Sequence, residues 1–170
     1  MYDKDLFARV AEPFGVEVTP ELAEKLGIYA ALLVEWNQKM NLTAITDPVG
    51  IAVKHFADSL TAAAMLPQGD FSLIDVGTGA GFPGVPLALY RPDCRLTLLD
   101  SLNKRLTFLD TVCRETGLTA QLVHARAEEG DATPPCGRNT TWPAPVRWQT
   151  CRCWRSIACL LLRWGANFWR

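Results

Sequence analysis

Between Pro20 and Met40 the apolar residues Leu22, Leu26, Tyr29, Leu33, Trp36 and Met40 recur at three- and four-residue steps, which predicts an amphipathic helix with one buried face. Asp47-Pro48 reads as a helix start, a capping carboxylate followed by proline at the first helical position. The helix it opens is expected to run to about Leu66 and carries Ile51, His55, Ser59 and Leu60. After Pro67-Gln68-Gly69-Asp70 the period changes. Ser72 to Val76 is a short buried strand ending in a glycine-rich turn, and Gly84 to Tyr90 is a short helix. Arg95 to Leu99 is a second strand, Lys104 to Thr116 a helix closed by Gly117, and Ala120 to Val123 a third strand. Strand, glycine turn, helix, strand, helix, strand is the opening half of a doubly wound parallel sheet, so the fold class is α/β, with helices leading into a Rossmann-like domain.

Composition agrees with this at first. Across 170 residues, 49% apolar and 21% charged with a net charge of −1, the chain suits one or two globular domains. So neutral a balance argues against broad affinity for nucleic acid. No apolar run approaches the roughly 18 residues that span a bilayer, and the start Met1-Tyr2-Asp3-Lys4-Asp5 is too acidic for a secretory signal. A cytoplasmic location without a membrane partner is therefore expected. The averages conceal a break. Up to Glu129 the chain carries one Trp, two Cys, all five Lys and seventeen of the eighteen acids, whereas Gly130 to Arg170 carries five Trp, four Cys, six Arg, no Lys and one acid, Asp131. The cysteines thus sum an ordinary intracellular usage, Cys94 and Cys113, and an unusual tail, and do not describe three disulfides. The expected division is a helical region, 1–67, a partial Rossmann-like domain, 68–129, and an aberrant tail, 130–170.

The candidate chemistry lies in the first strand-to-helix turn, Asp75-Val76-Gly77-Thr78-Gly79-Ala80-Gly81-Phe82-Pro83-Gly84. Alternating glycines let the backbone turn sharply and approach a ligand, and the following helix start offers free N–H groups. Gly79, Gly81 and Gly84 satisfy the dinucleotide pattern G-x-G-x-x-G. A nicotinamide-dependent oxidoreductase is disfavoured by Asp75, a carboxylate where it would repel pyrophosphate but attract a cationic amino-acid moiety. Asp100, ending the second strand, suits the ribose diol of either kind of cofactor. A tight turn without any ligand is the purely structural reading.

At these residues the chain resembles a known family. The string LIDVGTGAGFPGVPLAL, then LLDSLNKRLTFL, then HARAEE, with WNQKMNLTAI and KHFADSL upstream, is similar to the bacterial glucose-inhibited-division-B family. The resemblance covers nearly all of residues 20 to 129. It implies a Rossmann-like class I methyltransferase that uses S-adenosylmethionine to methylate N7 of one guanine in the helix 18 loop of 16S ribosomal RNA, acting on that RNA or the small ribosomal subunit; a monomer is expected. Carried over, the cofactor contacts fall on Gly77, Phe82, Ala127 and Glu128, and with Asp75, Thr78, Gly79, Gly81 and Asp100 of the turn and second strand they make up the expected cofactor-binding set. Asp100 takes the ribose, Asp75 faces the methionine end, and Ala127-Glu128 frames the adenine. Without the resemblance, Glu128 beside Glu129 reads as a solvated acid.

Guanine N7 has a free lone pair, so no base must remove a proton before transfer, and the work is to hold N7 in line with the methyl group and exclude water. Accordingly, residues 1–129 contain neither an Asn-Pro-Pro-Tyr element nor a Pro-Cys nucleophile. Asn37, Lys39, Asn41, Thr43, Lys54 and His55 are candidates for holding RNA, the lysines at phosphates and Asn41 or His55 at a base or over the cofactor. Capping, solvation or a partly buried histidine is the alternative for each. No metal site is expected.

The resemblance stops after residue 129, where the family continues with a strand and helix of the type YD-x-x-x-ARAVA. The genetic code links the two. If each true codon is the last base of one tail codon plus the first two of the next, Trp142-Pro143 forces alanine, Trp148-Gln149 forces alanine and Trp164-Gly165 forces glycine. The junctions from Cys136 to Pro143 permit R-E-K-Y-D-L-A, and those from Ala144 to Gln149 permit A-R-A-V-A. Gly130 to Arg170 is therefore expected to be a frameshifted reading. The zinc-like set Cys136, Cys151, Cys153 and Cys159, and the tryptophans of a tail-centred interaction protein, then reflect the reading frame. The strand expected beside the first one is missing, as is the arginine at the Pro145-Val146 junction, so poor folding and little or no methyltransferase activity are expected.

Overall fold

The computed structural model of the chain describes residues 4–126. Readings that fall on Ala127, Glu128 and Gly130 to Arg170 lie outside the described residues. The first element, α1 (Lys4–Ala11), was not expected from the pattern. It is short, but Leu6, Phe7, Val10 and Ala11 stand at helical spacing, and Phe7 is fully buried, with its ring edge-on to Phe56 at 5.5 Å. Helix α2 (Pro20–Asn37) starts where expected, with the Thr19 hydroxyl accepting the Leu22 N–H at 3.2 Å and proline at the first position. It stops three residues before Met40, because the Asn37 side-chain oxygen accepts the N–H groups of Leu42 and Thr43 at 2.8 and 2.9 Å and turns the chain.

Asp47 caps the next helical run as expected, accepting the Gly50 N–H at 2.6 Å. The run covers residues 48–65 but is not one α-helix. It passes from α3 (Pro48–Gly50) through a π-helical stretch (Ile51–Ala57) and α4 (Asp58–Leu60) to a 3-10 end (Thr61–Met65). In the wide stretch Ile51, Ala52, Phe56 and Ala57 are all buried. Such widening carries no signature in a hydrophobic pattern read at 3.6 residues per turn.

The remainder alternates strand and helix: β1 (Phe71–Val76), α5 (Gly84–Tyr90), β2 (Cys94–Asp100), α6 (Asn103–Thr116) and β3 (Ala120–His124). Among the described residues the three strands are parallel in the order β1-β2-β3, in a register that pairs Leu73 with Leu96 and Leu96 with Ala120. Each strand begins or ends within one residue of its expected bound. Gly117 closes α6 in the left-handed region, φ 68°, as its position after the last apolar residue predicts. The architecture is α/β and matches a partial Rossmann-like fold. The leading helices and the sheet share one hydrophobic core, in which Leu26, Tyr29, Phe56, Val85, Leu98 and Phe108 join. Cys94 and Cys113 are buried free thiols, and burial pushes both up to about 11, so they are packing residues. Among the described residues no helix is long and apolar enough to cross a membrane.

Candidate functional site

Parallel pairing of β1 with β2 brings Asp75 and Asp100 to the same end of the sheet, where the chain leaves β1 through residues 77–83. The turn is anchored from below: Gly77 and Thr78 donate their N–H groups to the Leu99 carbonyl at 2.8 and 3.1 Å, and Gly81 donates to the Thr78 carbonyl at 2.8 Å. Gly77, Gly79 and Gly81 all have positive φ, 71°, 60° and 97°. Only glycine takes such values without strain, so their alternation is a backbone requirement.

The glycines differ in what lies around them. A Cβ on Gly81 would meet Leu109 and the Tyr29 hydroxyl at 2.7 Å and Val85 at 2.9 Å, and one on Gly84 would meet the Asp75 carboxylate at 2.7 Å. A Cβ on Gly77 would meet nothing within 4 Å, and one on Gly79 only the Gly77 carbonyl at 3.9 Å. The first half of the turn therefore presents bare backbone to open space, while the second half is pressed into the core.

Asp75 is 6% exposed, and its Oδ2 accepts from the Thr78 hydroxyl at 2.9 Å and the Gly84 N–H at 3.2 Å. Burial raises its pKa to about 6, against the pull of those two donors and with Asp100 adding to the rise. Asp100 is 1% exposed. Its Oδ2 accepts the Gly79 N–H at 2.9 Å and lies 3.4 Å from the Arg105 guanidinium, and its Oδ1 accepts the Leu102 N–H at 2.8 Å. Asp100 thus ties the open half of the turn to β2, and a diol would reach it in competition with the long Arg105 contact.

Phe82 projects back towards the leading helices. Its ring stacks on Tyr29 (5.3 Å, 19°) and on His55 (4.5 Å, 10°). His55 Nε2 is hydrogen-bonded to the Thr43 hydroxyl at 2.8 Å, and burial holds the imidazole below its ordinary pKa against the opposing effect of Asp58. Asn37, Thr43 and His55 therefore form one connected set that ends on the glycine turn. Asn37 spends its side-chain oxygen on loop N–H groups, Lys39 lies 3.5 Å from Glu35 and over the Trp36 ring, and Asn41 and Lys54 are exposed. Of the sequence-predicted residues, Asp75, Gly77, Thr78, Gly79, Gly81, Phe82 and Asp100 are brought together, with His55 against them. Ala127 and Glu128 lie outside the described residues.

Sequence reasoning missed Tyr29 as part of this site. Its hydroxyl donates to the Ala80 carbonyl, across 51 residues of sequence. Burial, with Asp75 and Cys113 nearby, pushes the phenol well above its ordinary range, so it remains a donor. The one signal was a buried-face tyrosine among leucines, whose hydroxyl needs a partner.

A parallel sheet whose first strand leads through an open glycine turn to a helix start, with a carboxylate ending the next strand, defines the first half of a Rossmann-like domain. Comparison with known proteins narrows the class. Residues 22–140 match the GidB family, described as rRNA small subunit methyltransferase G, and the chain belongs to that family. The match runs past the compositional break at residue 130. The chain is 50% identical over 131 residues to the ribosomal RNA small subunit methyltransferase G of Clostridium beijerinckii, covering 74% of this chain and 54% of the relative. It is 51% identical over 128 residues to that of Desulfitobacterium hafniense, covering 74% and 53%. The Alkaliphilus metalliredigens protein of the same name is 45% identical over 143 residues, covering 83% and 57%. The chain thus spans about half the length of the curated relatives it matches.

Proposed function

We propose that the chain is the amino-terminal half of an S-adenosylmethionine-dependent methyltransferase acting on N7 of a guanine in 16S ribosomal RNA, in the cytoplasm. In this reading residues 68–129 carry the cofactor side and residues 1–67 face the RNA. The observation that carries the cofactor reading is the open half of the glycine turn. Gly77 and Gly79 leave room that any Cβ would fill, between a buried acid suited to a cationic amino group, Asp75, and one suited to a diol, Asp100. The residues present fit the group on the backbone side. The cofactor, when bound, supplies an electrophilic methyl group. This chain's part is to orient it and exclude water, since N7 asks for no proton transfer. Among the RNA candidates, His55 lies against the turn through the Phe82 ring and Asn37 is joined to it through Thr43, while Lys39, Asn41 and Lys54 are exposed. The relatives carry ribosomal RNA methyltransferase in their names, which supports the substrate class.

Residues 130–170 are in this reading an out-of-frame translation, and the chain as written has weak or no methyltransferase activity. Two measurements test these statements. Adding S-adenosylmethionine to the labelled chain should shift the Gly77 and Gly79 amide signals, with affinity weaker than micromolar, and NAD should not. The gene with one base restored near codon 130 should give tight cofactor binding and N7 methylation of small ribosomal subunits. Shifts with NAD alone would instead support the oxidoreductase, and no shift in the frame-restored protein would end the cofactor reading. Resequencing the source DNA decides the tail: if neither neighbouring frame encodes the missing strand and helix, the tail is native.

A further inference from the structure

The buried face of α2 contains one hydroxyl, and it is spent on the glycine turn. Tyr29 is fully buried and donates to the carbonyl of Ala80, the residue between Gly79 and Gly81. The approach is close enough that a Cβ on Gly81 would stand 2.7 Å from the Tyr29 oxygen. The same ring stacks on Phe82 at 5.3 Å, packs at 5.3 Å against Phe56, and lies 6.3 Å from Phe108 of α6. Tyr29 therefore grips the turn twice, by a main-chain carbonyl and by a side chain two residues further on, from a rigid 18-residue helix. A phenylalanine would fill nearly the same volume and supply only the second contact. The hydroxyl is thus unnecessary for packing, and its polar end is costly to bury unless it is bonded.

We propose that Tyr29 is a positioning residue: by holding the Ala80 carbonyl and the Phe82 ring it fixes the open Gly77–Gly79 half of the turn in its ligand-ready shape. The turn has three left-handed glycines, each free to leave that region at little cost, so its shape needs an external hold. From the sheet the Leu99 carbonyl holds the Gly77 and Thr78 N–H groups and Asp100 holds the Gly79 N–H, and Tyr29 adds a hold on Ala80 from the helices. The value of this hold to a cofactor rests on the proposed S-adenosylmethionine reading, but the hold itself is measurable without any ligand.

The test is Tyr29→Phe in the full 170-residue chain, which deletes the hydroxyl and keeps the ring. Amide hydrogen exchange across residues 79–84 should rise about tenfold, the effect of one hydrogen bond, while β2 and α6 keep their protection. Unchanged exchange in the turn, or an equal loss of protection in β2 and α6, overturns the proposal, the second because the role would be general stability. Tyr29→Leu, which loses hydroxyl and ring, should loosen the same amides further, and a Leu variant with the turn as protected as in the Phe variant also overturns it. In a separate arm, S-adenosylmethionine should bind the Phe variant about tenfold more weakly than the parent. If neither the parent nor the frame-restored protein binds, the cofactor reading fails while the exchange result still decides the role of Tyr29. If exchange rises but affinity is equal, Tyr29 does not position the site.

Discussion

Gly77 and Gly79 on one side of the turn, and Gly81 and Gly84 on the other, are the same residue used for two purposes. On the inner side glycine is required by what already occupies the space: Leu109, Val85 and the Tyr29 oxygen around Gly81, and Asp75 behind Gly84. On the outer side no protein atom demands it except through backbone conformation, φ 71° and 60°. The contrast separates residues that build the site from residues that expose it, and the two classes should respond differently to the same added methyl group.

The inner side should break first. Gly81→Ala combines a strained φ of 97° with overlap against three neighbours, and an overall loss of about 4 kcal/mol in denaturant melts is expected. Gly84 has ordinary helical geometry, so its alanine variant should lose less. If Gly81→Ala melts like the parent, the inner half is not packed as described and the comparison fails.

Asp75 sits on the boundary between the two halves, and its behaviour with pH sharpens their difference. Its folded pKa, about 6, lies above the ordinary 3.8, so the fold disfavours the charge. Stability linked to this group is complete below about pH 3.8 and is lost as pH rises through about 6, amounting to about 3 kcal/mol above that range. Asp75→Asn keeps a carbonyl acceptor for Thr78 and Gly84 without the charge. Its stability relative to the parent should therefore climb between pH 4 and pH 7, by about 2–3 kcal/mol. Over the same window the parent's affinity for a cationic ligand should rise and the variant's should not. An advantage for Asn that is flat with pH would mean that the buried charge is not what Asp75 costs the fold.

Much of this arrangement was legible in the chain. The strands and their connecting helices follow from a change of period at Pro67 and from Gly117, since parallel strands buried on both faces read as short apolar runs. The glycine turn and the two acids stand out because no packing pattern calls for them. What was not legible depends on contacts distant in sequence. Tyr29 looked like one more apolar position because its partner is 51 residues away, and Asn37 gave no sign that its oxygen would turn the chain after α2. The π-helical stretch leaves the order of apolar residues unchanged, so only coordinates reveal it. The burial of both acids is also a structural fact: the sequence places them at strand ends, and the chain's own N–H groups then claim them.

The smallest expected change in stability falls on the outer side and carries the most information. Gly79→Ala adds a methyl group whose nearest neighbour, the Gly77 carbonyl oxygen, is 3.9 Å away, so packing contributes nothing and the left-handed backbone costs about 1 kcal/mol. The Gly79 N–H can still reach Asp100, so the tie to β2 survives. The variant should melt within about 1 kcal/mol of the parent, yet its methyl group stands in the space assigned to the ligand, and S-adenosylmethionine should no longer shift the Gly77 amide. Stability and ligand response are thereby uncoupled at one atom. A variant that melts like the parent and still responds to the cofactor would mean that the open half of the turn is open for some other reason, and the inner and outer glycines would differ in packing alone.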